Sequence, residues 1–161
     1  MGLYSNHIFP RLLDWTLGTE DAGRLRKRAL SEARGAVLEV GFGTGLNLPF
    51  YPHTIPSTVS KLTAVDSASF LKKRVDKRIN ESGLLVERVT LDASGALPFL
   101  DGAFDTIVTT FTLCSIAEVD KALSEMRRVL STSGKYLFLE HGRSDEPAVA
   151  RRQDRFNPVQ K

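Results

Sequence analysis

The chain of 161 residues has a single cysteine, Cys114, so it cannot form an internal disulfide, and no Cys/His cluster has zinc-site spacing. No apolar run approaches the ~20 residues that a membrane span needs. The N-terminus has no apolar stretch ahead of a small-residue cleavage site, so no secretory signal is visible. Neither sign of charge dominates, since 22 basic residues face 19 acidic ones for a net charge of +3. These absences exclude a disulfide scaffold, a zinc module and a spanning segment, and leave a cytoplasmic, metal-free protein as the expectation. The apolar 42% and charged 25% are ordinary for a globular chain. The length fits one domain with a substantial core.

Most of the basic excess lies in two runs, Arg24-Leu25-Arg26-Lys27-Arg28 and Lys72-Lys73-Arg74-Val75-Asp76-Lys77-Arg78. Neither is interleaved with the aromatics that single-strand binding would use. Solvated helix faces are therefore expected, with no nucleic-acid partner, while peripheral contact with an acidic lipid surface stays open.

Residues 8–33 carry a helical pattern broken by Gly18 and Gly23. Gly35 ends it, and Ala36-Val37-Leu38-Glu39-Val40 reads as a buried strand. A short helix is expected after Gly45, kept brief by Pro49 and Pro52. Residues 60–65 read as a second strand that ends at Asp66. Leu71, Val75 and Ile79 then recur at intervals of four on a helix that Gly83 stops. Residues 85–91 and 104–111 read as a third and a fourth strand. Residues 117–130 form the clearest helix, with Val119, Ala122, Leu123, Met126, Val129 and Leu130 on one stripe. A turn is expected at Ser133-Gly134 and a fifth strand over 135–140, with a polar helix in the tail from Glu146 to Phe156. Strands alternating with helices imply βαβ units and a parallel sheet covered on both faces.

Gly41-Phe42-Gly43-Thr44-Gly45 follows the first strand directly, where an open α/β sheet binds nucleotide-like ligands. Glycine there permits positive φ and close backbone approach, although such a loop alone can be a mere tight connection. The spacing is GxGxG, whereas a dinucleotide site typically has GxGxxG. Glu39, two residues before the loop, suits a ligand bearing ammonium and sulfonium groups and opposes a pyrophosphate. Both features speak against a nicotinamide-dependent oxidoreductase. Asp66 lies where a carboxylate accepts hydrogen bonds from ribose hydroxyls. Asp92 ends the third strand, and either meets an adenine amino group or caps a turn through its own backbone.

Together these segments resemble class I S-adenosylmethionine-dependent methyltransferases of the ubiquinone-biosynthesis-like methyltransferase-11 group. Val37 to Gly45 looks like the first motif of that group. Leu97-Pro98-Phe99 with Gly102-Ala103-Phe104-Asp105 looks like the entry to its fourth strand, and Met126 to Leu130 with Ser133-Gly134-Lys135 like the approach to its fifth. Thr112-Leu113-Cys114-Ser115 and Glu140-His141-Gly142 are similar to thiol-methyltransferase-like members.

The resemblance implies a Rossmann-like three-layer α/β sandwich with a mostly parallel sheet. It also implies one domain, with a helical cap over 1–34, a βαβ core over 35–142 and a tail over 143–161. The group continues into two further strands that close the sheet as a hairpin, and residues for them are absent here. The strand Tyr136-Leu137-Phe138-Leu139 would then keep an unpaired edge, through which dimerisation is expected unless the tail covers it.

By the same resemblance Gly41, Phe42, Gly43 and Gly45 face the methionine part of the cofactor, with Glu39 beneath. Asp66 and Ser67 hold the ribose, Asp92 and Ala93 the adenine, and Thr110, Phe111 and Thr112 face the methyl-bearing sulfur. The implied reaction is methyl transfer from S-adenosylmethionine to a small-molecule acceptor such as a thiol, a quinone precursor or a lipid, leaving S-adenosylhomocysteine. The alternative is a domain that binds the cofactor without turnover. His141 is either a general base or a surface or structural histidine, Cys114 is expected in the core or the cleft lining, and Tyr4, His7 and Trp15 either cover the cleft or pack a helix that closes the domain.

Overall fold

The computed structural model describes residues 18–52, 58–67, 72–142 and 144–156. Helix α1 (Glu20–Leu30) is capped by Thr19, whose hydroxyl accepts from the Ala22 amide at 3.3 Å. Glu20 and Asp21 in its first turn and Lys27 and Arg28 in its last complement the helix dipole. The parallel strands are β1 (Gly35–Val40), β2 (Val59–Asp66), β3 (Val86–Thr90), β4 (Phe104–Thr110) and β5 (Leu130–Leu139). Helix α2 (Lys72–Ser82) precedes β3, α3 (Val119–Val129) runs straight into β5, and α4 (Pro147–Phe156) follows it.

The sheet order is β3-β2-β1-β4-β5. Each of its four pairings is parallel. Alternate strand residues enter two separate cores. Val37, Leu62, Ala64 and Val108 join Leu30, Leu48, Tyr51 and Val75 in one cluster. Leu38, Val40, Val65 and Ile107 join Met126 and Val129 in the other. Period-two alternation with both sides apolar is what a sheet covered on both faces requires. The chain reverses winding direction at β1, and the strands β1, β2 and β4 present their carboxyl ends to one crevice.

The alternation of strands and helices is incomplete. Between β3 and β4 the chain runs through turns alone, because Gly95, Pro98 and Gly102 interrupt any helix. Side chains of α3 satisfy its backbone instead. Arg128 donates to the carbonyls of Leu97 and Phe99 at 2.9 Å, and Glu125 accepts from the Leu97 amide at 2.8 Å. Between β1 and β2 the described residues contain only the 3-10 turn Leu48–Phe50, which starts at Pro49's neighbour as expected of a brief helix.

The expected turn at Ser133-Gly134 is also corrected. Leu130 pairs with Phe104 and Lys135 with Thr106, so residues 131–134 are a bulge within one continuous strand rather than a break before it. The two edge strands of the described sheet are β3 and β5, and Phe138 on β5 is 62% exposed. The helical pattern over 8–17 lies outside the described residues, as do Tyr4, His7 and Trp15.

Candidate cofactor site

At the carboxyl ends of β1, β2, β3 and β4 lies a cavity of ≈ 290 Å³. That is near the lower end of the ~300–1,000 Å³ typical of small-molecule sites. Its floor is the loop that leaves β1. The amides of Gly41 and Phe42 both donate to the Val65 carbonyl, at 2.9 and 3.1 Å, which fastens the loop to the end of β2. Gly41 has φ +79°, and a Cβ there would lie 2.1 Å from Thr112 Oγ1, so the end of β4 excludes any side chain. Gly43, at φ +56°, would meet nothing within 4 Å, which leaves its surface open to a ligand.

Asp66 closes β2 beside this loop, and its Oδ2 accepts from the Gly43 amide at 2.7 Å. One side chain thus sets the loop and lines the cavity. Asp92 lines it one strand further out, and its Oδ1 accepts from the Ser94 amide at 2.9 Å. The turn-capping arrangement is therefore present, and its backbone hydrogen bond holds the Asp92 carboxyl below the usual range. A capping oxygen and a cavity-facing carboxylate are compatible.

Glu39 is 1% exposed at the end of β1. Its Oε2 accepts from the Tyr51 phenol at 2.6 Å and its Oε1 from the Asn47 amide at 2.9 Å. Burial pushes its carboxyl up to about 7, against the downward pull of those hydrogen bonds and of Arg26. Burial likewise raises the Tyr51 phenol, with the Glu39 charge adding to it.

Arg26 departs from the expectation of a solvated basic face. It is 3% exposed, on the same side of α1 as Leu30 one turn on, and it lines the cavity. Its Nη1 donates to Asn47 Oδ1 and, at 2.8 Å, to Thr110 Oγ1. Its guanidinium carbon lies 5.2 Å from the centre of the Phe111 ring. Asn47 also donates to Thr110 Oγ1, at 3.0 Å, so the end of β4 and the loop after β1 share this network.

Phe111 is the non-glycine residue with positive φ among the described residues, at +53°. It is held there by its amide, which donates to the Leu139 carbonyl at 2.7 Å, and by Glu140. The Glu140 carboxylate accepts from the amides of Thr112, at 3.0 Å, and Leu113, at 3.3 Å. The strained turn aims the Phe111 ring between Arg26 and His141, whose ring centre is 4.6 Å away.

Of the residues singled out in the sequence, Glu39, Gly41, Phe42, Gly43, Asp66, Ser67, Asp92, Ala93, Thr110, Phe111 and Thr112 line one cavity. Gly45 does not. Its φ of +78° serves the loop, and its amide donates to the Phe42 carbonyl at 3.0 Å. His141 is exposed and rests on Phe111 outside the lining. Cys114 is exposed and not part of a core, because it sits on the 3-10 turn Leu113–Ser115 that carries the chain away from β4.

Arg26, Thr44, Asn47 and Ile116 belong to the lining and had not been picked out. For Arg26 a signal existed, namely its spacing of four from Leu30 on an amphipathic helix. Among the described residues no group of His, Cys, Asp and Glu could hold a metal.

A family described as "Methyltransferase domain" matches residues 38–138. Phosphatidylethanolamine N-methyltransferase of Cereibacter sphaeroides is 34% identical over 143 residues, covering 86% of this chain and 68% of that protein. Human thiol S-methyltransferase TMT1B is 36% identical over 118 residues, covering 71% of this chain and 46% of that one. The chain thus spans about two thirds of the first relative and less than half of the second. Among solved structures, the YcgJ protein of Bacillus subtilis superposes with a TM-score of 0.62 at 26% identity, over 85% of this chain and 57% of that one.

Proposed function

The chain belongs to the class I S-adenosylmethionine-dependent methyltransferases, and from that premise we propose that it moves the sulfonium methyl of S-adenosylmethionine to a small-molecule acceptor by in-line displacement. The observation that carries this reading is the convergence of the Gly41–Gly45 loop, Asp66 and Asp92 on one cavity at the switch point of the sheet.

The residues fit that cofactor. The cradle at Gly43 is open, two carboxylates stand on the β2 and β3 side, and the loop side has a buried cation in Arg26. Asp66 would accept from the ribose hydroxyls and Asp92 from the adenine amino group, with Ala93 and Leu91 as apolar walls. The cofactor supplies an activated methyl group on a sulfonium. The protein's part is then alignment and exclusion of water. Phe111, Thr112 and Ile116 would shape the entry for the acceptor.

Among the described residues, the titratable groups lining the cavity are Arg26, Glu39, Asp66 and Asp92. Both oxygens of Glu39 are engaged by Tyr51 and Asn47. An acceptor that brings its own nucleophile, a thiol or an amine, suits such a site better than an alcohol that must lose its proton to a base. The names of the two relatives are those of a thiol and an amine methyltransferase. No described helix is long and apolar enough to cross a membrane, and peripheral contact with a lipid acceptor belongs to this reading. Self-association through β5, an edge strand of the described sheet, is part of the same reading.

The test is calorimetric titration with S-adenosylmethionine and S-adenosylhomocysteine, with NADH as control. Transfer of labelled methyl to an alkyl thiol and to phosphatidylethanolamine vesicles follows. Binding of the first two ligands alone supports the cofactor. Binding of NADH alone overturns it.

A further inference from the structure

We propose that Arg26 is the receptor for the α-carboxylate of the cofactor's methionine part, an inference that rests on S-adenosylmethionine being the ligand of the cavity. Arg26 is 3% exposed, and its Nε is buried with no hydrogen-bond partner among the described residues. Among the described residues only Nη1 is engaged, and both of its acceptors, Asn47 Oδ1 and Thr110 Oγ1, are neutral. No carboxylate forms an ion pair with Arg26 among the described residues. The nearest buried acid, Glu39, gives its oxygens to Tyr51 and Asn47, so the Asn47 side chain stands between the two charges. A buried cation with a vacant donor and no carboxylate in direct contact is costly, and an anionic ligand group offsets that cost.

The position selects which anionic group this is. Asp66 and Asp92 stand at the ends of β2 and β3, on one side of the cavity. Arg26 is fastened to the loop after β1 and to the end of β4, on the other side. A ligand whose ribose and adenine occupy the acidic side directs its amino-acid end toward Arg26. In S-adenosylmethionine the single anionic group is the carboxylate at that end. Cation and carboxylate then form charge-assisted hydrogen bonds from the guanidinium fork, which a lysine at the same place cannot reproduce. Phe111 beneath the guanidinium and Thr110 at its edge fix the orientation of the fork before the ligand arrives. Arg26 is in this sense a positioning residue for the methyl donor and a discriminator against adenosine thioethers that have no carboxylate.

The experiment compares S-adenosylhomocysteine with its decarboxylated analogue, which differs only by the carboxylate, on the full chain and on Arg26→Gln and Arg26→Lys. The readout is the dissociation constant by calorimetry, independent of turnover. The unaltered chain is expected to prefer S-adenosylhomocysteine by about 10- to 100-fold, the size of a charge-assisted hydrogen bond. Arg26→Gln is expected to lose that preference by weakening S-adenosylhomocysteine alone, and Arg26→Lys to keep part of it. Absence of a preference in the unaltered chain overturns the proposal, and that measurement stands even if Arg26→Gln does not fold. Equal weakening of both ligands by the variants overturns it too, by assigning Arg26 a purely structural role while S-adenosylmethionine binding survives. Binding of neither ligand to the folded, unaltered chain overturns the cofactor reading itself. An unchanged affinity for both ligands with a raised KM for a phosphate-bearing acceptor would move Arg26 to the acceptor side and overturn its role at the cofactor.

Discussion

Tyr51 donates its phenolic proton to Glu39 Oε2 at 2.6 Å in a place where both residues are 1% exposed. The Glu39 carboxyl titrates near 7, because burial outweighs the hydrogen bonds and the Arg26 charge. Its folded value is raised above that of the unfolded chain. The stability it contributes is therefore complete below about 4.5 and lost as the pH rises through about 7. That loss is on the order of 3 kcal/mol from the shift alone. The unfolding midpoint should fall between pH 5 and pH 8, and Glu39→Gln should flatten that segment of the curve. A Glu39→Gln profile parallel to that of the unaltered chain would refute the assignment.

Gly41→Ala and Gly43→Ala separate folding from binding. At Gly41 the new methyl would enter Thr112, so a cost of about 2–4 kcal/mol is expected from overpacking and positive φ together. At Gly43 the space is open, and only the backbone strain of about 1–2 kcal/mol applies. Thermal unfolding should therefore rank Gly41→Ala as the less stable. Calorimetry should find that Gly43→Ala, although better folded, still binds S-adenosylhomocysteine weakly, because its methyl stands in the cradle.

Asp66→Ala should weaken S-adenosylhomocysteine binding by about 10- to 100-fold, as expected for the loss of hydrogen bonds to a charged acceptor. It also frees the Gly43 amide. A 2′,3′-dideoxy analogue of the ligand should bind the unaltered chain and Asp66→Ala alike if the ribose contact is the one removed.

Arg128 holds the helix-free path from β3 to β4. It donates to the carbonyls of Leu97 and Phe99 and to Glu125 and Asp101. The Arg128 hydrogen bond keeps the Glu125 carboxyl down at about 2. That contribution is complete above about 4.5 and lost as the pH falls through about 2. Arg128→Met should lower the unfolding midpoint at pH 7, and the difference from the unaltered chain should shrink on acidification toward pH 2.

Phe138 lies exposed on the edge strand β5. Sedimentation over a range of concentrations should find self-association that Phe138→Lys weakens, since charge on an edge opposes strand pairing. A monomer at every concentration would reject the edge as an interface.

Much of this site was legible before any coordinates. The strand–loop boundary at Val40-Gly41 and the acids Asp66 and Asp92 were readable because they depend on local chemistry, namely a buried apolar run, a glycine turn and a strand-terminal carboxylate. The helix stripe from Val119 to Val129 was readable for the same reason. The β3–β4 connection departs from the alternation of strands and helices, and no local signal marks what holds it. Its order comes from Arg128 and Glu125, which reach it from a helix that follows in the chain. The bulge at residues 131–134 looked like a turn because Ser-Gly has the same local signature in both, and only pairing with β4 separates them.

Arg26 marks the boundary between the two kinds of information. In a run with Arg24, Lys27 and Arg28 it has the composition of a solvated face, and along the chain only its spacing of four from Leu30 sets it apart. Its burial depends on Asn47 and Thr110, which lie 21 and 84 residues away and meet it only after the sheet has assembled. The sequence by itself determined the alternation, the glycine loop and the strand-end acids, since each is set by backbone preference and local burial. The tertiary structure alone decided which charges left water, because the free energy of a buried ion depends on long-range neighbours.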